Sequence, residues 1–167
     1  MPAQELPLST PVSTAKRRFD SLEQEAYLNL WRTYDRLRAV EDALFGQHDL
    51  TAQQYNALRL LRGVHPGKLP TLVLASRLVS RAPDITRLLN KLVERGLIER
   101  ERLRKNRRVV EVGISPEGLA LLKQLDRAVR ETHRKQLGHL DEADLVALIE
   151  LLKQARAPHE DPGSTWK

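Results

Sequence analysis

The clearest pattern of apolar and polar positions lies between Ser80 and Arg95. Ser80 suits the N-cap of a helix, Pro83 is tolerated in a first helical turn, and Gly96 is a helix stop. The pattern therefore predicts an amphipathic helix over 80–95, with a polar and cationic outer face. Its apolar residues recur at i, i+3, i+4 and i+7, which places them on one face: Ile85, Leu88, Leu89 and Leu92.

Two shorter helices are predicted before this segment. Thr51 and Gln54 have the spacing of a capping box, which favours a helix from there to Gly63. After a turn at 65–68, a third helix begins at Pro70. A short helix, a tight break and a second helix with a polar outer face are typical of a helix-turn-helix. The residues of the third helix expected to face inward are Leu74, Ala75, Leu78 and Val79.

A β-hairpin is predicted after Gly96. Apolar and polar residues alternate over 97–103 and again over 110–114, on both sides of the segment 104–108. Four of the five residues in that segment are cationic, and the fifth, Asn106, tolerates turn conformations. The sequence therefore predicts a hairpin wing with a cationic tip.

Long helices are expected at both ends of the chain. The first spans about 19–45, and its apolar residues follow a coiled-coil-like seam that favours a helix shared with a second subunit. Ser115 and Pro116 open a later helix that reaches about Gly138, and Asp141 opens the last one. The seam of the first helix is Leu22, Ala26, Leu30, Thr33, Leu37, Val40 and Leu44. The stripe of the last helix is Leu145, Leu148, Ile149, Leu152 and Ala155.

The positive charge of the chain is concentrated in one segment. The net charge is +6, but residues 76–108 contain eleven Lys and Arg against four acidic residues, so this segment carries +7 and the remainder −1. Such a local excess is typical of a polyanion-binding face, although a solvated charged surface without a partner is the alternative.

Several functional classes find no support in the sequence. Cysteine is absent, which excludes disulfide scaffolds and thiolate zinc sites, and the five histidines are scattered without metal-ligand spacing. We find no Gly-rich phosphate loop, nucleophile elbow or close carboxylate pair, so neither a cofactor nor an enzyme activity is expected. No apolar run has the length of a membrane span, and the N-terminus lacks the apolar core of a signal peptide, so a cytoplasmic protein is expected.

Residues between 50 and 118 match the pattern of a known family: Leu50-Thr51, Gln54-Tyr55, Leu58, Leu72, Leu74-Ala75, Leu78, Ile85-Thr86-Arg87-Leu88-Leu89, Leu92-Val93, Gly96-Leu97-Ile98, Arg100, Asn106-Arg107-Arg108 and Ile114-Ser115-Pro116-Glu117-Gly118. Over about residues 20–157 the chain thus resembles the MarR (multiple antibiotic resistance regulator) family. That resemblance implies a homodimeric winged-helix repressor whose first and last helices interlock the subunits and whose DNA binding is relieved by small anionic or phenolic ligands. Where the family usually has Asp-Arg-Arg in its wing, this chain has Asn106-Arg107-Arg108, which keeps a hydrogen-bonding group, loses the negative charge and makes the wing more cationic.

The expected DNA contacts lie on the recognition helix and the wing. The resemblance places contacts at Thr86, Arg87 and Asn90. Arg87 suits a bidentate guanine contact and Asn90 an adenine contact, whereas Lys91 and Arg81 suit phosphates. The full expected set on the recognition helix is Arg81, Asp84, Thr86, Arg87, Asn90 and Lys91. The set on the wing, whose arginines suit the minor groove or phosphates, is Arg104, Lys105, Asn106, Arg107 and Arg108.

A small-molecule site is a further hypothesis. Trp31, Tyr34 and Arg38 share one face of the first helix, and Tyr55 lies on the next. Aromatic rings with one cation suit an aromatic carboxylate, but an aromatic stripe at helical spacing also occurs in ordinary cores.

The predicted fold is mainly α with a small β-hairpin wing. We divide the chain into a disordered arm (1–17), a dimerisation helix (18–46), a winged helix-turn-helix (47–114), C-terminal dimerisation helices (115–157) and a flexible tail (158–167). The function expected is a sequence-specific DNA-binding regulator that reads an inverted repeat as a homodimer. A non-specific DNA-coating protein and a winged helix that binds only proteins are the alternatives.

Overall fold

The computed structural model describes residues 18–80, 84–103 and 106–160. The chain divides into two units, Met1–Arg36 and Leu37–Lys167, and helix α1 (Leu22–Gly46) contributes to both. The predicted arm at 1–17 and the last residues of the predicted tail, 161–167, lie outside the described part.

The described part of the first unit is mostly the beginning of α1. The helix begins at Leu22 rather than at residue 19, because Ser21 Oγ accepts a hydrogen bond from Gln24 N at 3.1 Å and Gln24 Oε1 accepts one from Asp20 N at 2.9 Å. This reciprocal pair satisfies backbone donors of the first turn. The large apolar side chains that this unit exposes are Leu22, Tyr27, Leu28, Leu30, Trp31 and Tyr34.

The second unit contains the remaining helices and a three-stranded sheet. The capping box predicted at the start of α2 is confirmed, because Thr51 Oγ1 accepts from Gln54 N and the Gln54 side chain accepts from Thr51 N. The elements in chain order are α2 (Ala52–Val64), β1 (Leu69–Pro70), α3 (Thr71–Arg77), α4 (Ile85–Glu94), β2 (Ile98–Leu103), β3 (Asn106–Ile114), α5 (Pro116–Leu137), α6 (Glu142–Arg156) and a 3₁₀ turn (Ala157–His159).

The predicted hairpin is confirmed, and a third strand is added to it. The strand order is β1-β3-β2, all antiparallel, with Leu69 opposite Val112 and Ile98 opposite Ile114. The sequence placed Pro70 at the start of a helix; in the structure it is the last residue of β1 and the N-cap of α3. An edge strand tolerates proline because that residue need not donate to the ladder.

The helix predicted over 80–95 is shorter than expected. It begins at Ile85, and its N-cap is Asp84 rather than Ser80, because Asp84 Oδ1 accepts a hydrogen bond from Arg87 N at 2.8 Å. Residues 81–83, which include the proline assigned to the first turn, lie outside the described residues. The apolar stripe is confirmed, with Leu88, Leu89 and Leu92 buried.

The core of the second unit is built mainly from leucine side chains of α2, α4 and α5, closed by the sheet. Val79 does not belong to it: its side chain is 63% exposed, so the inward position predicted for it is wrong. α6 buries none of its residues, and Ile149 and Leu151 are exposed. The largest fully buried side chains are Leu58, Leu61, Leu74, Leu89, Leu92, Leu122, Leu125 and Val112.

Candidate nucleic-acid interface

The outer face of α4 presents polar side chains to solvent. Thr86, Arg87, Asn90 and Lys91 are all exposed. Asp84 is exposed as well, but its carboxylate caps the helix and holds the backbone N–H of Arg87. Arg81, expected on the same helix, lies outside the described residues. The face therefore combines one cap with hydrogen-bonding and cationic groups, as a major-groove helix needs.

The segment before α4 is held by side chains of α2. Asn56 Oδ1 accepts a hydrogen bond from Val79 N at 3.0 Å, and Gln53 Nε2 donates to Ser80 Oγ at 3.1 Å. These contacts satisfy polar groups of a segment that has no regular backbone pairing of its own. They fix the path of the chain from α3 as far as Ser80.

Arg95 has a structural role at the end of α4. Its guanidinium donates to the carbonyl oxygens of Asp49 at 2.6 Å and His48 at 3.0 Å. Asp49 has a positive φ of 52°, so Arg95 secures a turn in a conformation that most residues avoid. The side chain is thus engaged with the backbone rather than presented to a ligand.

Arg100 of β2 reaches back to the recognition helix. Its Nη1 donates to Asn90 Oδ1 at 2.7 Å, and its Nη2 lies 3.4 Å from the carbonyl oxygen of Thr86, one helical turn earlier. Sequence reasoning missed this role and counted Arg100 only within the charge of the segment and as a residue of the family pattern. Its position on a strand that packs against a helix was the available signal.

The described side chains nearest the wing tip are exposed and polar. Asn106 begins β3 and its Oδ1 accepts a hydrogen bond from Arg108 N at 3.2 Å, so Asn106 organises the strand start by its own side chain. Arg108 is exposed and lies within β3 instead of at the tip. Arg104 and Lys105 lie outside the described residues, as does the side chain of Arg107.

The base of the wing is tied to the loop before α3. Lys68 Nζ lies 2.6 Å from Glu101 Oε2, and this hydrogen bond raises the pKa of Lys68. Thr71 Oγ1 donates to the carbonyl oxygen of Val110 at 3.1 Å. Together with the β1–β3 pairing, these contacts connect the wing to the start of α3.

Ser115 joins three elements at one point. Its hydroxyl donates to the carbonyl oxygen of Gly96 at 2.6 Å and accepts from Gly118 N at 3.0 Å, which caps α5. Its backbone N donates to the carbonyl oxygen of Leu97 at 3.1 Å. The end of α4, the entry to β2 and the start of α5 therefore meet at one buried residue.

The residues of the hypothesised small-molecule site belong to both units. In the first unit, Trp31 and Tyr34 are exposed, and Trp31 lines an open groove of about 750 Å³. In the second unit, Arg38 Nε lies 3.2 Å from Asp42 Oδ2 in an exposed ion pair. Tyr55 is buried, its ring stacks on Phe45 with centroids 4.4 Å apart, and burial raises its pKa. Within its unit, Tyr55 is thus a core residue.

Metal-binding clusters and membrane-spanning helices are both absent from the described residues. No group of three or more His, Asp or Glu side chains there is arranged to hold a metal ion. No helix in the described ranges combines the length and apolar character needed to cross a membrane.

The arrangement defines a winged helix-turn-helix: α3 and α4 form the helix pair, and β2 and β3 form the wing. Residues 50–110 match the family model described as MarR family. A MarR transcription factor from Planctomyces limnophilus is 57% identical, with a TM-score of 0.66 over 82% of this chain and 99% of its own. The chain therefore belongs to the MarR family of transcriptional regulators, so the predicted family and fold class are confirmed.

Two further solved structures share the fold. BpsR from Bordetella bronchiseptica, whose DNA binding is regulated by 6-hydroxynicotinic acid, is 24% identical, with a TM-score of 0.71 over 78% of this chain and 98% of its own. A mutant of MarR from E. coli, complexed with operator DNA, is 22% identical, with a TM-score of 0.71 over 81% of this chain and 99% of its own. No curated protein matches the chain.

Proposed function

We propose that this protein is a cytoplasmic homodimeric repressor that reads an inverted-repeat operator with α4 and grips the flanking DNA with its wing. The observation that supports this most directly is the exposed face of α4 with Thr86, Arg87, Asn90 and Lys91, which contacts β2 of the wing. Two such helices about 34 Å apart in a dimer would enter successive major grooves.

Each residue has a proposed role at the DNA. Arg87 makes the bidentate contact with guanine, since a guanidinium matches the O6 and N7 acceptors. Asn90 contacts a base edge, and Lys91 holds a phosphate. Arg108 enters the minor groove or holds a phosphate. We propose the same role for the other wing cations expected from the sequence, which are Arg104, Lys105 and Arg107. Arg81 is proposed to contact a phosphate.

The proposed dimer is supported by apolar surface left exposed in each unit. The first unit exposes Tyr27, Leu30 and Trp31, and in the second unit α6 exposes Val146 and Ile149. Apolar surface of this extent is typical of a protein interface. Light scattering of the full chain should give twice its 19.1 kDa mass; a monomer at micromolar concentration would contradict the dimer.

The experiment that tests DNA reading is an anisotropy titration across a salt series. The full chain is titrated against duplex DNA from upstream of its own gene and against a scrambled duplex of the same composition. We expect much tighter binding to the upstream DNA and a steep loss of affinity with salt, because neutralised phosphates release counterions. Equal affinity for both duplexes would indicate a DNA-coating protein, and no binding at low salt would indicate a protein-binding module.

Arg87→Ala tests the assigned base contact. We expect the variant to lose about 1–3 kcal/mol on the specific duplex and much less on the scrambled one, because a bidentate base contact carries sequence information. Lys91→Ala is the matched control, and it should weaken binding to both duplexes by similar factors. If Arg87→Ala kept the wild-type ratio of affinities, Arg87 would not read a base.

We also propose that an aromatic carboxylate regulates DNA binding. The support is the pair of exposed rings of Trp31 and Tyr34 in the first unit, and the regulation of DNA binding by 6-hydroxynicotinic acid in BpsR, which shares the fold. The only other tryptophan is Trp166, so a Trp166→Phe background makes Trp31 the sole indole emitter. Salicylate and 6-hydroxynicotinate at millimolar concentration should change its fluorescence and weaken operator binding; no change in either signal would refute the proposal.

A further inference from the structure

Arg100 lies behind the proposed reading face, on β2, and is bonded to one of the residues of that face. Its side chain is partly buried, and its Nη1 contacts Asn90 Oδ1 at 2.7 Å. A second contact, from Nη2 to the Thr86 carbonyl oxygen at 3.4 Å, spans the turn of α4 that ends at Asn90. One side chain of the wing thus connects to two positions of the recognition helix.

The chemistry of the pair fixes which way the Asn90 amide points. A guanidinium has only donors, so the amide atom that faces Arg100 must be the oxygen. Oδ1 is therefore engaged in a short charge-assisted hydrogen bond, of the kind that is stronger than a neutral one. Oδ1 keeps a second lone pair, but its bond directs the oxygen towards Arg100, so Nδ2 is the group presented to a base.

This orientation matters for base selection. An asparagine that recognises adenine bidentately donates to N7 and accepts from the N6 amino group, so it needs both Nδ2 and Oδ1. Turning the oxygen from Arg100 towards the N6 amino group would lengthen and weaken its bond to Arg100. A single donor group instead tolerates any base that presents an acceptor in the major groove. Such acceptors include N7 of both purines.

We propose that Arg100 is a positioning residue that sets base selectivity at the pair read by Asn90. By holding Oδ1, it makes Asn90 a donor that tolerates adenine and guanine, and its removal releases the amide for bidentate adenine recognition. The inference rests on the proposed function, because it concerns the selectivity of the same DNA-reading face. It differs from the direct expectation for Asn90, which is a preference for adenine in the wild-type protein.

The chain offers matched variants to test this. Arg100→Met removes the donor and keeps an unbranched side chain, whereas Arg100→Lys keeps one donor that can reach Asn90. Arg102→Met removes the same charge from the same strand, where the Arg102 side chain is exposed and makes no hydrogen bond or ion pair with the described residues. Thermal unfolding of each variant controls for folding.

The experiment first selects preferred operators from a randomised duplex library with the full-length wild-type protein, and then measures affinities for single-pair substitutions. The pair read by Asn90 is the one at which Asn90→Ala loses preference. At that pair we expect the wild type and Arg100→Lys to bind the adenine duplex less than about threefold more tightly than the guanine duplex. For Arg100→Met we expect this affinity ratio to be on the order of tenfold. Arg102→Met should weaken all duplexes without changing that ratio, and Arg100→Met should have no effect on the ratio in an Asn90→Ala background.

The outcomes distinguish a failure of the inference about Arg100 from a failure of the proposed DNA-reading function. If wild-type protein selects no sequence, the proposed function fails and the inference with it. If wild type selects an operator but Arg100→Met has the wild-type adenine-to-guanine ratio, only the inference is overturned. A wild type that already prefers adenine strongly overturns it as well.

Discussion

The cap of the recognition helix gives a prediction in which charge and structure can be separated. Asp84 places a negative charge at the proposed DNA face, and its Oδ1 also caps α4 by accepting from Arg87 N at 2.8 Å. Asp84→Asn removes the charge and keeps a side chain of equal capping strength, whereas Asp84→Ala removes both. The difference between the two variants therefore measures the cap alone.

The size of that difference follows from the structure. Loss of an N-cap costs about 1 kcal/mol of helix stability, within a range of roughly 0.5–2 kcal/mol. α4 has only ten residues, and Thr86 and Arg87 lie in the first turn, which the cap stabilises, so fraying at this end displaces the proposed base contacts. A dimer orders two such ends on one operator, so the central value gives a full loss of about 2 kcal/mol, or roughly thirtyfold in affinity.

Anisotropy titration on the selected operator measures both variants in one salt series. Asp84→Asn should bind both specific and scrambled DNA more tightly than the wild type, because a repulsive charge beside phosphates is gone. Asp84→Ala should bind the operator more weakly than Asp84→Asn by up to about thirtyfold. Equal operator affinity for the two variants would show that Asp84 does not cap the helix in the DNA-bound state.

Two stability measurements test the packing around the interface. Gly118→Ala should lower the free energy of unfolding, measured in urea, because a Cβ there would overlap the Leu97 carbonyl oxygen and lie 2.7 Å from Ile114 Cγ1. The cost of overpacking, about 1–3 kcal/mol, outweighs the gain in helix propensity of up to about 1 kcal/mol. Gly63→Ala, with open space around its Cβ, should be neutral or stabilising, and equal stability of the two variants would refute the clash. Burial raises the pKa of Tyr55, so its neutral phenol stabilises the fold below the unfolded-state pKa of about 10, and this contribution is lost as the pH rises through the folded-state pKa. Urea midpoints should therefore fall less between pH 8 and pH 11 for Tyr55→Phe than for the wild type; an equal fall would contradict the assignment.

Local patterns in the sequence were sufficient for most of the fold. The apolar stripe of α4, the capping box at Thr51 and the alternation around the wing depend on spacing within a few residues, and each is confirmed. The exact start of α4 was not predictable in the same way. Ser80 and Asp84 are both good N-cap residues, and Ser80 is instead bonded to Gln53 of α2, a residue 27 positions away in the chain.

The site was predicted less completely than the fold for the same physical reason. The exposed polar positions of α4 follow from helical periodicity, so Thr86, Arg87 and Asn90 could be assigned to the outer face. The bond between Arg100 and Asn90 depends on how a strand packs against a helix, which no short-range pattern encodes. Likewise, β1 consists of two residues whose strand character exists only through pairing with β3.

The hydroxyl of Ser115 couples three elements of the second unit mechanically. The Ser115 hydroxyl donates to the Gly96 carbonyl and caps α5 at the same time. The first turn of α5 therefore cannot rotate without displacing the end of α4 and the beginning of β2. α5 is thereby joined at its base to α4 and β2, the two elements on which the proposed DNA contacts depend. A tilt of the far end of α5 would therefore move α4 and the wing together as one rigid body.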